Sequence, residues 1–245
     1  MKSDWFKDWF NTKEYLNVYQ HRNENDAESH INLILNNIQI TNNADVLDMA
    51  CGAGRHSILL ARKNYRVAAV DLSENLLSIA KEQAKKEKLI INFINSDIRD
   101  FGSSQKFNLI INLFTSFGYF ETDEENYSVL RKAYNLLIKD GFFVLDYFNS
   151  EFLTNNLIEF SKDDLADGEI IQERKILNKR VIKKITINKN GSHEEFEESV
   201  RMYTKDELTN ELTKIGFDIY KTFGDFLGNK FEQFTSPRLI FICKK

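Results

Sequence analysis

Asp48, Asp71 and Asp97 each close a short apolar run in the N-terminal half of this chain. Asp48 stands just ahead of a small-residue turn, the stretch VLDMACGAG over Val46–Gly54. Glycines such as Gly52 and Gly54 let the backbone turn tightly and bring N–H groups close to a ligand. Alone, this G-x-G step describes any tight strand-to-helix turn equally well. Asp71 ends the next apolar run, where a carboxylate can accept two hydrogen bonds from a ribose diol. The competing role is a turn aspartate with the helix cap Ser73 behind it. Asp97, in Ser96-Asp97-Ile98, reads by itself as a turn residue. Taken together, three carboxylates after three successive strands gather at the C-terminal edge of a sheet, where open α/β folds bind their ligands.

The ligand class follows from charge. A dinucleotide fingerprint requires a third glycine, and Ser57 occupies that place. Asp48 would repel a pyrophosphate and attract a cation. S-adenosylmethionine carries a sulfonium and an amino group and no phosphate, so it suits these residues better than NAD(P). A nicotinamide-dependent oxidoreductase and a non-catalytic cofactor-binding module are the alternatives.

The elements that must position these groups alternate regularly. Ala44–Met49, Arg66–Val70, Ile90–Ile94, Phe107–Leu113 and Phe142–Asp146 read as strands. Between them, helices are expected over Arg55–Lys63, from the N-cap Ser73 to about Glu87, and over Asp123–Ile138 with Gly141 closing the last as C′. Such β-α-β order predicts an α/β fold with a parallel sheet covered on both faces. Ahead of it, Trp5, Phe6, Trp9, Phe10, Tyr15 and Tyr19 suit a helix packed over something else, and a second helix is expected over Ala27–Asn37. Beyond it the pattern breaks. Glu169–Leu177, Val181–Lys189 and His193–Tyr203 read as antiparallel strands, with Asn190-Gly191 a strong hairpin signal. A helix over Lys205–Ile215 starts at a Thr204/Glu207 capping box and stops at Gly216. Phe217–Phe223 and Leu239–Lys244 are the final strands. Residues 1–245 thus read as one domain carrying an antiparallel β insertion at 165–203, a cap or a dimerisation element.

Composition bounds the function. The chain has 245 residues, 42% hydrophobic and 29% charged, enough for one large globular core. A net charge of −4 speaks against a nucleic-acid partner bound mainly through phosphates. The two cysteines, Cys51 and Cys243, form neither a zinc ribbon nor a redox pair, and no metal site is expected. No apolar run reaches the ~20 residues of a membrane span, and no signal peptide is recognisable, so a cytoplasmic protein is expected.

The segment from Val46 to Asp146 resembles the class I S-adenosylmethionine-dependent methyltransferases. The resemblance is carried by VLDMACGAG, VAAVD ending at Asp71, Ser96-Asp97-Ile98, NLIINLF over Asn108–Phe114, and GFFVLD ending at Asp146. More loosely, Arg201–Thr204 and Ser236–Ile240 resemble a subgroup of small-molecule methyltransferases with a β-rich insertion. The resemblance implies a Rossmann-like sheet of seven strands, mostly parallel with an antiparallel last strand, and S-adenosylmethionine converted to S-adenosylhomocysteine. It also implies that Asp48, Ala50, Cys51, Gly52 and Gly54 surround the methionine part. Asp71 would take the ribose, Leu72 and Ile98 the adenine ring, Asp97 its amino group, and Asn112 with Leu113 would lie under the methyl.

The exit of the fourth strand, Asn112-Leu113-Phe114-Thr115, lacks the Pro-Pro-Tyr element of many base-amine methyltransferases. It lacks the Pro-Cys nucleophile of cytosine-C5 enzymes as well. A small-molecule acceptor is therefore expected, a protein acceptor being the alternative, in a monomer or homodimer. Phe114 and Tyr119 either shape the acceptor pocket or join the core; Phe117 reads as core. Tyr15, Tyr19, His21 and Arg22 form a possible lid, and Tyr147, Arg201 and Arg238 are further acceptor candidates. His56 reads as a surface residue, and the run Glu194, Glu195, Glu197 and Glu198 as a solvated face. No side chain stands out as a general base. Transfer of an already activated methyl relies on alignment, worth up to ~7–11 kcal/mol.

Overall fold

A computed structural model describes residues 4–19 and 24–245 of the chain. Arg22 and His21 lie outside the described residues. Two short helices, α1 (Trp5–Trp9) and α2 (Glu14–Val18), precede α3 (Glu24–Asn37). The alternating region then runs β1 (Asp45–Met49), α4 (Arg55–Arg62), β2 (Arg66–Asp71), α5 (Glu74–Lys86), β3 (Ile91–Asn95), β4 (Phe107–Asn112), α6 (Asp123–Leu136) and β5 (Leu137–Phe148). After α7 (Ser150–Asn155) come β6 (Phe160–Leu165), β7 (Gly168–Leu177), β8 (Arg180–Lys189) and β9 (Ser192–Arg201). The chain ends with α8 (Lys205–Ile215), β10 (Asp218–Phe223) and β11 (Arg238–Lys244).

The larger sheet has seven strands in the order β10-β11-β5-β4-β1-β2-β3. From β5 to β3 every pairing is parallel, whereas β11 runs antiparallel to both β5 and β10. This is the Rossmann-like arrangement expected. Successive side chains point to opposite faces of a strand, so one sequence feeds two cores. Leu47, Met49, Ile110, Phe143 and Phe241 join the layer that contains α6, α8 and the N-terminal aromatics. Val46, Leu109, Ile111, Val144 and Ile242 join the layer under α3, α4 and α5. The fourth strand is buried on both sides, as its continuous apolar sequence requires.

Two departures concern boundaries. Gly141 does not close α6: the helix stops at Leu136, because Leu137 already turns extended and pairs with Phe107. Gly141 instead lies within β5, where a Cβ would stand 3.0 Å from the Ile138 carbonyl oxygen. The second sheet is antiparallel and four-stranded, β6-β7-β8-β9, so β6 adds a strand ahead of the expected boundary at 165. Its polar sequence FSKDDL carries no apolar face to announce it. Asn190 and Gly191 adopt φ of 50° and 77°, the hairpin geometry their types predict. Among the described residues no helix is long and apolar enough to cross a membrane.

Candidate functional site

At the end of β1 the backbone enters a run of left-handed conformations: Ala50 at φ 61°, Gly52 at 56° and Gly54 at 79°. A non-glycine residue there costs roughly 1–2 kcal/mol. The turn is held by Cys51 N–H donating to the Val70 carbonyl at 3.0 Å. Gly52 N–H then donates to Asp71 Oδ2 at 2.7 Å, and Ser73 N–H to Asp71 Oδ1 at 2.8 Å. One carboxylate thus ties the glycine turn to the start of α5, which Ser73 caps. Burial raises the Asp71 pKa, and bonds from Ser73, Gly52 and Leu72 oppose the rise.

Asp48 is almost fully buried, and its Oδ2 accepts from Ser57 Oγ at 2.6 Å. Loss of water pushes its pKa up to about 7; Ser57 pulls down, the nearby Asp71 charge pushes up again, and Arg55 pulls down. The serine standing where a dinucleotide site would have glycine therefore serves this carboxylate. Asp97 is different. Burial would raise it, but hydrogen bonds and charge from Arg99 hold it below the usual range. Arg99 Nη2 lies 2.7 Å from Asp97 Oδ2, and Nη1 reaches Glu125 Oε1 at 2.9 Å.

These groups share one cleft at the C-terminal edge of the large sheet. A first compartment, of about 650 Å³, contains Asp71, Leu72, Asp97 and Ile98, with Phe6 and Phe10 opposite. A second, of about 850 Å³, contains Asp48, Cys51, Arg55, His56, Leu113 and Phe114. Ala50, Gly52, Leu76, Ser116, Tyr15 and Tyr119 line both, so the three aspartates face a continuous space. Asn112, expected under the transferred methyl, is fully buried and lines neither compartment; its Nδ2 donates to the Met49 carbonyl at 3.0 Å, and its Oδ1 has no hydrogen-bond partner among the described residues.

The loop after β4 overhangs this space in a strained form. Phe114 and Thr115 are both left-handed, at φ 63° and 60°, a conformation that persists only when its surroundings over-determine it. Here they do. Phe114 N–H donates to Asp146 Oδ2 at 2.7 Å, Arg238 pairs with Asp146 Oδ1 at 2.7 Å, and Arg238 Nη2 reaches Thr115 Oγ1 at 2.8 Å. Further along, Arg180 donates to the carbonyls of Gly118, Tyr119 and Phe120.

Several expectations need correction. Gly54 lines neither compartment; a Cβ there would sit 2.8 Å from Ala80 Cβ, so it serves the packing of α4 on α5. Tyr147 has no exposed surface, and its hydroxyl donates to the Arg201 carbonyl within the core. The Arg201 side chain pairs with Asp123 and Glu207 instead of facing the cleft. Arg238 acts on the loop and not as a lining group. His56 is buried, not a surface residue: its Nε2 lies 3.0 Å from Nδ1 of His30. Burial holds both imidazoles in the neutral form, His30 down to about 3. Glu198 does not belong to a solvated face. Trp9 Nε1 donates to its Oε1 at 2.7 Å and Tyr19 Oη at 2.6 Å. The strand period marks it in retrospect, since Phe196, Glu198 and Val200 share one face of β9.

A third compartment adjoins the second through Tyr15, Tyr19, Phe114 and Tyr119. Trp5 and Phe10 from α1 and the loop behind it, Phe148 from β5, and Val181, Glu198 and Val200 from β8 and β9 complete it, at about 490 Å³.

A family model described as a methyltransferase domain matches residues 40–216. A Geobacillus sp. (strain WCH70) protein named as a methyltransferase is 26% identical over 209 residues, 82% of this chain and 84% of that protein. Among solved structures, an S-adenosylmethionine-dependent methyltransferase from Clostridium acetobutylicum ATCC 824 superposes with a TM-score of 0.81 at 20% identity, covering 93% of this chain and 94% of that one. CalS10 from Micromonospora echinaspora, an amino pentose methyltransferase solved with S-adenosylmethionine bound, gives 0.69 at 16% identity over 95% and 97% of the two chains.

Proposed function

This chain belongs to the class I S-adenosylmethionine-dependent methyltransferases, and from that premise we propose that it methylates a small molecule held in the third compartment. The observation that carries the proposal is the junction between compartments. Tyr15, Tyr19, Phe114 and Tyr119 line both the Asp48 side of the cofactor cleft and the space between α1 and β9. An acceptor of metabolite size seated there abuts the cofactor. The lining of that compartment is mainly aromatic and aliphatic with one carboxylate, and among the described residues it holds no row of cationic groups such as a nucleic-acid strand would require, which suits a metabolite better than a polymer.

The residues present fit the cofactor chemically. Asp71 retains lone pairs for a ribose diol, each of its oxygens accepting one backbone bond. Leu72 and Ile98 offer apolar contact to a purine, and Asp97 is the polar group beside them. Asp48 is an acceptor for the cationic amino-acid end. When bound, S-adenosylmethionine supplies a methyl group already activated on sulfur. The protein's part is to orient, exclude water and keep the two reactants aligned, which is where up to ~7–11 kcal/mol of the barrier is available. The braced Phe114–Phe120 loop is the element that does so. Nicotinamide chemistry is not favoured, because Ser57 and Asp48 together oppose a pyrophosphate in the glycine turn.

Incubation with methyl-labelled S-adenosylmethionine and a metabolite extract tests this reading. Label is expected in the low-molecular-weight fraction. Label confined to protein or RNA, from a protein that binds the cofactor by calorimetry, would refute it.

A further inference from the structure

We propose that the acceptor carries a basic amine, recognised in the third compartment by aromatic faces together with the Glu198 carboxylate. The inference rests on the reading of that compartment as the acceptor site. Trp5, Phe10, Tyr15, Tyr19, Tyr119 and Phe148 contribute rings to its wall, and Glu198 is the one formally charged side chain among its described lining residues. A ring of aromatic faces attracts a cation through its quadrupole and has nothing comparable to offer a neutral hydroxyl or a carboxylate.

The protein already seats an ammonium in this corner. Lys183 Nζ stands 4.4 Å from the Tyr19 ring centroid, donates to Tyr19 Oη at 2.7 Å and lies 3.4 Å from Glu198 Oε2. The side chains of Lys183 and Glu198 are each only 12% exposed, so this arrangement is stable largely away from water. Lys183 pairs the Glu198 charge from one side, and the neutral donors Trp9 and Tyr19 fix the carboxylate from the other. These three partners leave one of its roughly four acceptor positions for an incoming N–H, and the aromatic rings supply the rest of the attraction for a cation.

Charge movement gives the arrangement a catalytic sense. The ammonium held by these groups first gives a proton to water; the lone pair so freed forms the carbon–nitrogen bond as the carbon–sulfur bond breaks with its pair left on sulfur, and a product that still bears an N–H loses that proton to water. Positive charge therefore leaves the cofactor and arrives on nitrogen. Aromatic faces and Glu198 placed around that nitrogen stabilise the charge as it develops, which is the condition for accelerating the step as well as for binding.

The test uses an isosteric pair, choline and its uncharged carbon analogue 3,3-dimethylbutan-1-ol, titrated into the S-adenosylhomocysteine complex and followed by tryptophan fluorescence, since Trp5 lines the space. Choline is expected to bind at least about tenfold more tightly. Equal affinity, preference for the neutral analogue, or binding of neither would overturn the inference. Glu198→Gln keeps an acceptor for Trp9 and Tyr19 while removing the charge, and it is made together with Lys183→Met so that no ammonium is left there without its counter-charge. It is expected to reduce the choline preference to within about threefold, with S-adenosylhomocysteine affinity unchanged; an undiminished preference would remove Glu198 from the proposal. Label transfer separates the two levels of argument. Methylation of alcohols or phenols in preference to amines refutes the amine and leaves the small-molecule reading standing, whereas label found only in a macromolecule removes both.

Discussion

Replacing Asp48 with Asn separates what this carboxylate does for the fold from what it does for the cofactor. In the folded protein its pKa is pushed from the ordinary 3.8 to about 7, first of all by loss of water, with Asp71 adding to the push and Ser57 and Arg55 opposing it. The folded state therefore holds this proton more tightly than the unfolded state. Below about pH 4 both states are protonated and burial of the group costs nothing by ionisation. As pH rises the unfolded chain releases its proton first, so stability falls, until above pH 7 the full difference applies. Three units at 1.36 kcal/mol each make roughly 4 kcal/mol. Asn cannot ionise, and Ser57 Oγ can still donate to its amide oxygen. Its new N–H groups need acceptors, a cost of about 1–3 kcal/mol if they go unmet. Asp48→Asn should thus be less stable than, or equal to, the parent near pH 4 and more stable by roughly 1–4 kcal/mol at pH 8, in the absence of cofactor. Urea unfolding across that pH range measures it, and other titrating groups cancel in the difference. Parallel stability curves for the two proteins would refute the reasoning. Cofactor affinity should show the complementary pattern: in the parent it weakens as pH falls below 7, while in Asp48→Asn it is low and flat.

Three other substitutions probe the rest of the site. Asp71→Asn removes the charge and sets an amide N–H against Gly52 or Ser73 N–H, so calorimetric affinity for S-adenosylmethionine should fall by roughly 1.5–3 kcal/mol; unchanged affinity would deny Asp71 the ribose. Gly54→Ala adds a Cβ 2.8 Å from Ala80 Cβ at a φ of +79° and should lower unfolding free energy by roughly 1–3 kcal/mol; a neutral result would show that α4 and α5 can separate freely. Arg238→Met takes the guanidinium from Asp146, which has no exposed surface, and should cost about 3–5 kcal/mol. Adding Asp146→Asn should recover a large part of that loss, and a single-variant loss below ~1 kcal/mol would mean the pair does not brace the loop.

What was legible in the sequence was whatever follows from local periodicity and turn chemistry. The alternation of apolar runs with 3.6-period helices reports the sheet, because a strand covered on both faces has no choice but to be apolar. Ser73, Thr204 and Gly216 announced helix ends that formed as read, each through its own hydrogen bonds or backbone angle. The glycine turn and the strand-end carboxylates are legible for the same reason, since position after a strand fixes the edge on which a residue lies. Other features depend on partners far along the chain. Arg238 and Asp146 are 92 residues apart, and Trp9 and Glu198 are 189 apart. No window of sequence joins them. The His30–His56 contact is hidden likewise, since a histidine in the first turn of α4 looks solvated until α3 is laid across it. β6 escaped because an edge strand with a polar sequence obeys no hydrophobic period.

Those long-range contacts converge on a single loop, and this explains why two sheets are needed. The glycine turn and its carboxylates come from β1 and β2 and could hold a nucleoside on the large sheet alone. The overhanging residues Phe114–Phe120 are instead fixed from outside the β1–β3 half. Arg238 on β11 secures Phe114 and Thr115 through Asp146, and Arg180 on β8 secures the carbonyls from Gly118 to Phe120. Backbone N–H of Arg201 on β9 closes the same span by donating to Gly118. Two consecutive left-handed residues cannot hold their shape unaided; Phe114 and Thr115 owe theirs to β5 and β11 of the larger sheet, while the Gly118–Phe120 end is held by the sheet that also supplies Val181, Glu198 and Val200 to the third compartment. The four-stranded sheet therefore contributes both to the wall of the third compartment and to the bracing of the loop between that compartment and the aspartate cleft. Arg180→Met should misplace one reactant relative to the other and lower turnover, while weakening calorimetric cofactor affinity less than Asp71→Asn does, because Arg180 reaches the cleft only through the carbonyls of Gly118, Tyr119 and Phe120.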